Sequence, residues 1–218
     1  MANIKIYNTI IKLDILFWDD FKSANKYMTD EHEEFIIKSF PNMDFIMPRM
    51  APDVVTKFYD LYHFSDYTIQ IQKDEYKTIG AIKYMDNAIY LYMLEPSFSL
   101  EYLLSQYALA YIINKKGDAF IMHGSSLMYK NKGIIFSAKS GTGKSTHSRL
   151  WQKYSDAVVI NDDKNIIALE DDKLLIYPSP WSGKHMIDNN VVCSLDCIVF
   201  LYQSPTNVIS EISKVDVH

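Results

Sequence analysis

A glycine-rich segment, Ala138-Lys139-Ser140-Gly141-Thr142-Gly143-Lys144-Ser145, lies between a short apolar run and a stretch of helical character, and this limits the folds open to the chain. The run Gly133-Ile134-Ile135-Phe136-Ser137-Ala138 predicts a strand, and the residues from Lys144 onward predict a helix. Strand, glycine turn and helix in that order are the setting of a phosphate-binding loop. Gly141 and Gly143 permit backbone conformations closed to other residues, so that successive N–H groups turn inward on an anion. Ser140, Thr142 and Thr146 complete the phosphate-facing candidates around them. Lys144 offers a mobile positive charge to the outer phosphates. Ser145 places a hydroxyl where a bridging magnesium ion sits, and the helix start adds its positive dipole end. The segment therefore points to a nucleoside triphosphate with Mg2+ as ligands. The usual pattern opens with glycine, where this chain has the small residue Ala138.

What a bound triphosphate undergoes depends on nearby carboxylates. Asp162 and Asp163 follow the apolar run Ala157-Val158-Val159-Ile160, which predicts a strand delivering them beside the phosphates. There an aspartate can orient metal-bound water or accept a proton from an attacking hydroxyl. Ser145, Asp162 and Asp163 are the candidate metal-binding residues. His123 stands in another apolar run, before Gly124-Ser125-Ser126. Chemistry alone leaves it open whether that histidine is structural or catalytic.

The chain of 218 residues, 48% hydrophobic and 22% charged, has the composition of a soluble globular protein and room for one generous domain or two small ones. A formal charge of −5 supplies no basic stripe for nucleic acid. The strongly apolar stretch 103–113 is too short to cross a bilayer and predicts a core helix. No basic region followed by a long apolar core opens the chain, so no secretion signal is predicted and the expected setting is cytoplasmic. Cys193 and Cys197 are expected to be reduced, small core residues.

Two units are expected: residues 1–95 as a small α+β module, and 96–218 as a phosphate-loop domain shortened at its C-terminus. In the first, residues 4–17 and 68–72 read as strands, and 78–84 with 88–94 as a hairpin about Met85-Asp86-Asn87. Residues 29–40, acidic at the start and apolar at the end, predict a short helix. In the second, 119–129 and 133–138 are expected to pair about Lys130-Asn131-Lys132, and 166–169 with 174–177 about Glu170-Asp171-Asp172.

The segments His123-Gly124, Ser140-Gly141-Thr142-Gly143-Lys144-Ser145 and Asn161-Asp162-Asp163 resemble, in order and spacing, the kinase domain of the HPr kinase/phosphorylase family. His123 lies 21 residues before the loop lysine and Asp162 lies 18 after it, the distances of that family's active-site histidine and aspartate. The resemblance covers roughly the last hundred residues. It implies an α/β phosphate-loop kinase fold, shared with phosphoenolpyruvate carboxykinase, and transfer of the ATP γ-phosphoryl group to a serine or threonine of a protein or peptide. It further implies that Lys144 contacts phosphate, Ser145 binds magnesium, Asp162 is the general base and His123 assists. The family's assemblies imply a homo-oligomer.

The family also carries a metal-binding glutamate in a Glu-x-Arg-Gly segment, where this chain reads Pro180-Trp181-Ser182-Gly183-Lys184. Lys184 is a candidate phosphate partner in that stretch. The missing carboxylate leaves an alternative reading, a nucleotide-binding regulatory module with little or no phosphotransfer.

Overall fold

The computed structural model describes residues 1–42, 47–183 and 189–212. Of these, 42% lie in strands and 19% in helices, and the strands form two large mixed sheets. The protein is thus β-rich, which overturns the expected α/β phosphate-loop kinase fold. The connections explain the difference. Strand pairs are joined by two-residue turns whose central residues both take positive φ: Glu75 and Tyr76, Lys130 and Asn131, Asp171 and Asp172. Turns of that hand match the twist of antiparallel neighbours, so the chain returns beside itself without a crossover helix. The phosphate-loop segment dictates one strand, one turn and one helix; it does not dictate how the other strands connect.

The first sheet comprises β1 (Ala2–Ile6), β2 (Thr9–Asp14), β3 (Phe35–Phe40), β4 (Val54–Val55), β5 (Tyr59–His63), β6 (Thr68–Asp74), β7 (Lys77–Tyr84) and β8 (Ala88–Met93). Their order in space is β1-β2-β3-β8-β7-β6-β5-β4. Two short 3-10 helices, Trp18–Asp20 and Lys22–Tyr27, lie between β2 and β3. The hairpin about residues 85–87 forms as expected, with Tyr84 opposite Ile89. The short helix expected over 29–40 does not form. Phe35, Ile37 and Ser39 are buried while Ile36, Lys38 and Phe40 are less so, a period of two that makes β3 a strand running parallel to both β2 and β8.

Helix α1 (Phe98–Lys116) begins at Ser97, whose side chain accepts from the Leu100 N–H, and ends at Gly117 with φ 84°. It is apolar around much of its circumference because it packs against strands of both sheets. Leu104, Leu109 and Ile112 share one continuous core with Ile4, Leu13 and Ile37 on one side and Ile166, Ala168 and Trp181 on the other. Glu101, placed by sequence at the helix's positive end, is fully buried and accepts the Leu16 and Phe17 N–H groups at 2.8 and 2.9 Å. It pins the segment after β2 onto the helix. In Glu101→Gln, one amide oxygen cannot satisfy both donors as a carboxylate does, and urea unfolding should show a loss of about 1–3 kcal/mol.

The second sheet comprises β9 (Ala119–His123), β10 (Ser125–Tyr129), β11 (Lys132–Ser137), β12 (Val158–Asn161), β13 (Lys164–Glu170), β14 (Lys173–Tyr177) and β15 (Cys193–Phe200), in the order β12-β10-β11-β15-β14-β13-β9. Helix α2 (Lys144–Tyr154) covers part of one face. The stretch 119–129 is two strands rather than one. The chain breaks at Gly124, sending β9 to pair with β13 and β10 to pair with β11 and β12. Cys193 is buried and its thiol is pushed up to about 11 by burial and the nearby Asp196 charge; Cys197 is exposed rather than in the core. Among the described residues, no helix is long and apolar enough to cross a membrane.

Candidate functional site

The glycine-rich loop leaves the end of β11 and enters α2 at Lys144. Gly141 and Gly143 have φ of 80° and 115°, the left-handed region that side chains disfavour. With glycine preceding Lys144, no side chain caps the first turn of α2, so its N–H groups remain available to an anion. The Lys144 side chain is buried and its ammonium donates to the Ala138 and Lys139 carbonyls at 2.9 and 3.3 Å, which holds it over the loop. Ser148, one turn along, meets the Ser125 hydroxyl at 2.6 Å and fixes α2 to β10.

Asn161 builds the opposite wall. Fully buried at the end of β12, it accepts the Asp163 and Lys164 N–H groups at 2.8 and 3.0 Å and donates to the Ser179 carbonyl at 2.8 Å. This side-chain-to-backbone turn directs the two aspartates differently. Asp162 is 5% exposed, and its Oδ1 accepts the Gly183 N–H at 2.5 Å. Asp163 meets His123 Nδ1 at 2.6 Å and Lys164 Nζ at 3.4 Å. The pairing follows from register, because His123 stands directly opposite Lys164 where β9 runs against β13. Burial alone would raise the Asp163 carboxyl. The His123 hydrogen bond and the Lys164 and His123 charges outweigh it and hold Asp163 below the usual carboxylate range. An ionised carboxylate only accepts, so His123 Nδ1 carries the hydrogen of this contact, and Nε2 is the ring nitrogen that Asp163 does not use.

These groups share one cavity of about 700 Å³. Ser140, Gly141, Gly143, Lys144, Ser145 and Thr146 line one side, with His123, Asp162 and Asp163 beside them. Thr142 is not part of the lining; its N–H bonds the Lys139 carbonyl at 3.3 Å. Lys184 lies outside the described residues. Arg149 of α2 also lines the cavity, and much of the remaining wall comes from far along the chain: Asp20, Phe21 and Ser23 from the 3-10 region, Phe98 and Tyr102 from α1, and Ser182. The Ser182 hydroxyl is buried without a hydrogen-bond partner among the described residues.

No protein-family model and no curated protein matches the chain. What can be said of the site therefore rests on its own geometry.

Among the described residues no group of three or more His, Cys, Asp or Glu is placed to hold a metal ion alone. Magnesium does not need such a cage, since it is commonly bound by one or two carboxylates together with substrate phosphates and water. The Ser145 hydroxyl and the Asp162 carboxylate are hard oxygen donors on the same cavity, a set that fits magnesium accompanied by phosphate. Asp163, expected as a further ligand, is directed to His123 and Lys164.

Sequence reading overlooked the aromatic wall and the His123–Asp163 pair. The first has no local signal, because Tyr102 and Ser182 are 80 residues apart. The second was within reach, since β9 ends in His123 and β13 begins directly after Asp163.

Proposed function

We propose that this chain binds magnesium and ATP and transfers the γ-phosphoryl group to a serine or threonine hydroxyl of a protein or peptide, as HPr-kinase-like enzymes do. The observation that carries the reading is the meeting of Lys144, Ser145, Asp162 and His123 on one cavity large enough for a nucleotide. The likeness to HPr kinases concerns the order and spacing of those residues. A cytoplasmic setting and a homo-oligomeric state belong to the same reading.

In that reaction Lys144 leaves the loop carbonyls for the outer phosphate oxygens, and the N–H groups at the start of α2 hold the remaining phosphate charge. Ser145 and Asp162 would hold magnesium, whose charge would offset that of the phosphates. Asp162 accepts the proton of the acceptor hydroxyl as its oxygen bonds to Pγ, while the bond from Pγ to the bridging oxygen breaks and ADP departs. His123 is oriented through Nδ1 by Asp163 and offers Nε2 to the acceptor side. Phosphoryl transfer depends on positioning and charge more than on covalent chemistry, which suits this set.

The alternative, a nucleotide-binding regulatory module with little turnover, draws on the segment where HPr kinases carry a metal-binding glutamate. Here that place gives Asp162 a backbone N–H from Gly183.

Calorimetric titration with magnesium-ATP, run beside Lys144→Ala, tests nucleotide binding. Saturable binding is expected in the wild type, weakened about 10- to 100-fold in the variant by loss of a charge-assisted contact of about 1.5–3 kcal/mol. A folded wild type that binds no nucleotide overturns both readings. Release of ADP dependent on a peptide acceptor separates the first from the second.

A further inference from the structure

Residues 179–183 connect the Asp162 carboxylate to parts of the chain far from the phosphate loop. Every residue of this short segment makes a specific contact. The Ser179 carbonyl accepts from Asn161 Nδ2, and the Ser179 hydroxyl donates to the Lys164 carbonyl at 2.7 Å. The Pro180 carbonyl accepts from the Ser23 hydroxyl at 2.8 Å. Trp181 is fully buried, packs on Phe21 with ring centroids 5.2 Å apart, and donates its indole N–H to Ser105 Oγ at 2.8 Å. The Ser182 carbonyl accepts from the Tyr102 hydroxyl at 2.5 Å. Gly183 then donates its N–H to Asp162 Oδ1.

We infer that residues 179–183 form a positioning strap, anchored on α1 and the 3-10 region by Trp181, Tyr102 and Ser23, that holds the Asp162 carboxylate at the phosphate loop through Gly183. The inference rests on the phosphotransfer reading for the task it gives Asp162. The contacts themselves do not depend on it.

Gly183 is required by closeness. A Cβ built there lies 3.0 Å from Asp162 Oδ2 and 3.1 Å from its Cγ and Oδ1, so any side chain displaces the carboxylate by a few tenths of an ångström. The φ of Gly183 is not among the positive ones, so alanine disturbs the contact and not the backbone. The anchors, by contrast, act from a distance. Tyr102 and Ser105 sit on α1, whose other contacts reach the first sheet. The seating of the N-terminal region is thereby tied to the geometry of the site.

Two measurements test the strap. In Gly183→Ala, kcat should fall about tenfold for a displacement of this size while the magnesium-ATP dissociation constant stays within about threefold, since the phosphate loop is untouched. A Gly183→Ala kcat equal to that of an active wild type overturns the inference. The second measurement needs no turnover. Residue-resolved hydrogen exchange should find the Gly183 amide protected, and Tyr102→Phe should speed its exchange about tenfold by removing the hydroxyl that holds the Ser182 carbonyl. An unprotected Gly183 amide, or one indifferent to Tyr102→Phe, overturns the strap even if the enzyme is active. Protection and coupling in a protein without kinase activity would remove the phosphotransfer reading and leave the strap standing.

Discussion

Replacing Asp162 with asparagine should lower the rate of phosphoryl transfer by about 10²- to 10⁴-fold, the range spanned by loss of a positioned general base. Magnesium-ATP affinity should change far less, by about threefold or under, because in the proposed kinase reading Lys144 and the loop amides carry most of the nucleotide contact. Asparagine keeps the shape and still offers an oxygen to the Gly183 N–H, so the fold and the strap are retained and the loss falls on the carboxylate charge, which the kinase reading uses as proton acceptor and as magnesium ligand. Single-turnover measurement of acceptor phosphorylation, with nucleotide affinity measured separately, reads both quantities. Equal losses in affinity and rate would make Asp162 a ligand for magnesium-nucleotide and little more. An unchanged rate would remove Asp162 from the chemistry and, with it, the main support for the kinase reading.

The strand, glycine turn and helix around residues 138–145 were legible in the sequence because their determinants are local. Gly141 and Gly143 declare a turn, β11 before them is an apolar run, and α2 after them follows from Lys144 onward. The hairpins at 85–87, 130–131 and 171–172 were legible for the same reason. Fold class was not, since it is decided by how strands connect over long distances. Residues 29–40 illustrate the failure. An acidic start followed by apolar residues suits a helix, but Phe35, Ile37 and Ser39 alternate with Ile36, Lys38 and Phe40, and burial between β2 and β8 selects the strand. Glu101 illustrates another. Its charge near a helix start has a local explanation, whereas its actual role is to bind two backbone donors 84 and 85 residues away. The site divides along the same line. Lys144, Ser145, Asp162 and His123 could be named from spacing, while the wall provided by Phe21, Phe98 and Tyr102 emerges only when α1 lies against the second sheet.

Trp181 is where that long-range packing is most concentrated, and Trp181→Ala should destabilise the protein by about 3–5 kcal/mol, as for a large aromatic side chain removed from a closed core. The indole is fully buried, joins the core shared by both sheets, and lies against Phe21. Its removal leaves a cavity bounded by α1 and the 3-10 region, neither of which can collapse inward without breaking the Glu101 and Ser23 contacts. The Ser105 hydroxyl loses the indole N–H as well but keeps its bond to the Tyr102 carbonyl, so packing and not hydrogen bonding supplies most of the loss. Urea unfolding should show a lower midpoint with an unchanged slope. Trp181→Phe separates the two contributions: it restores most of the volume without the N–H donor and should recover more than half of the stability. A Trp181→Ala protein as stable as wild type would mean that the core closes without the indole, and the strap would then lack its principal anchor.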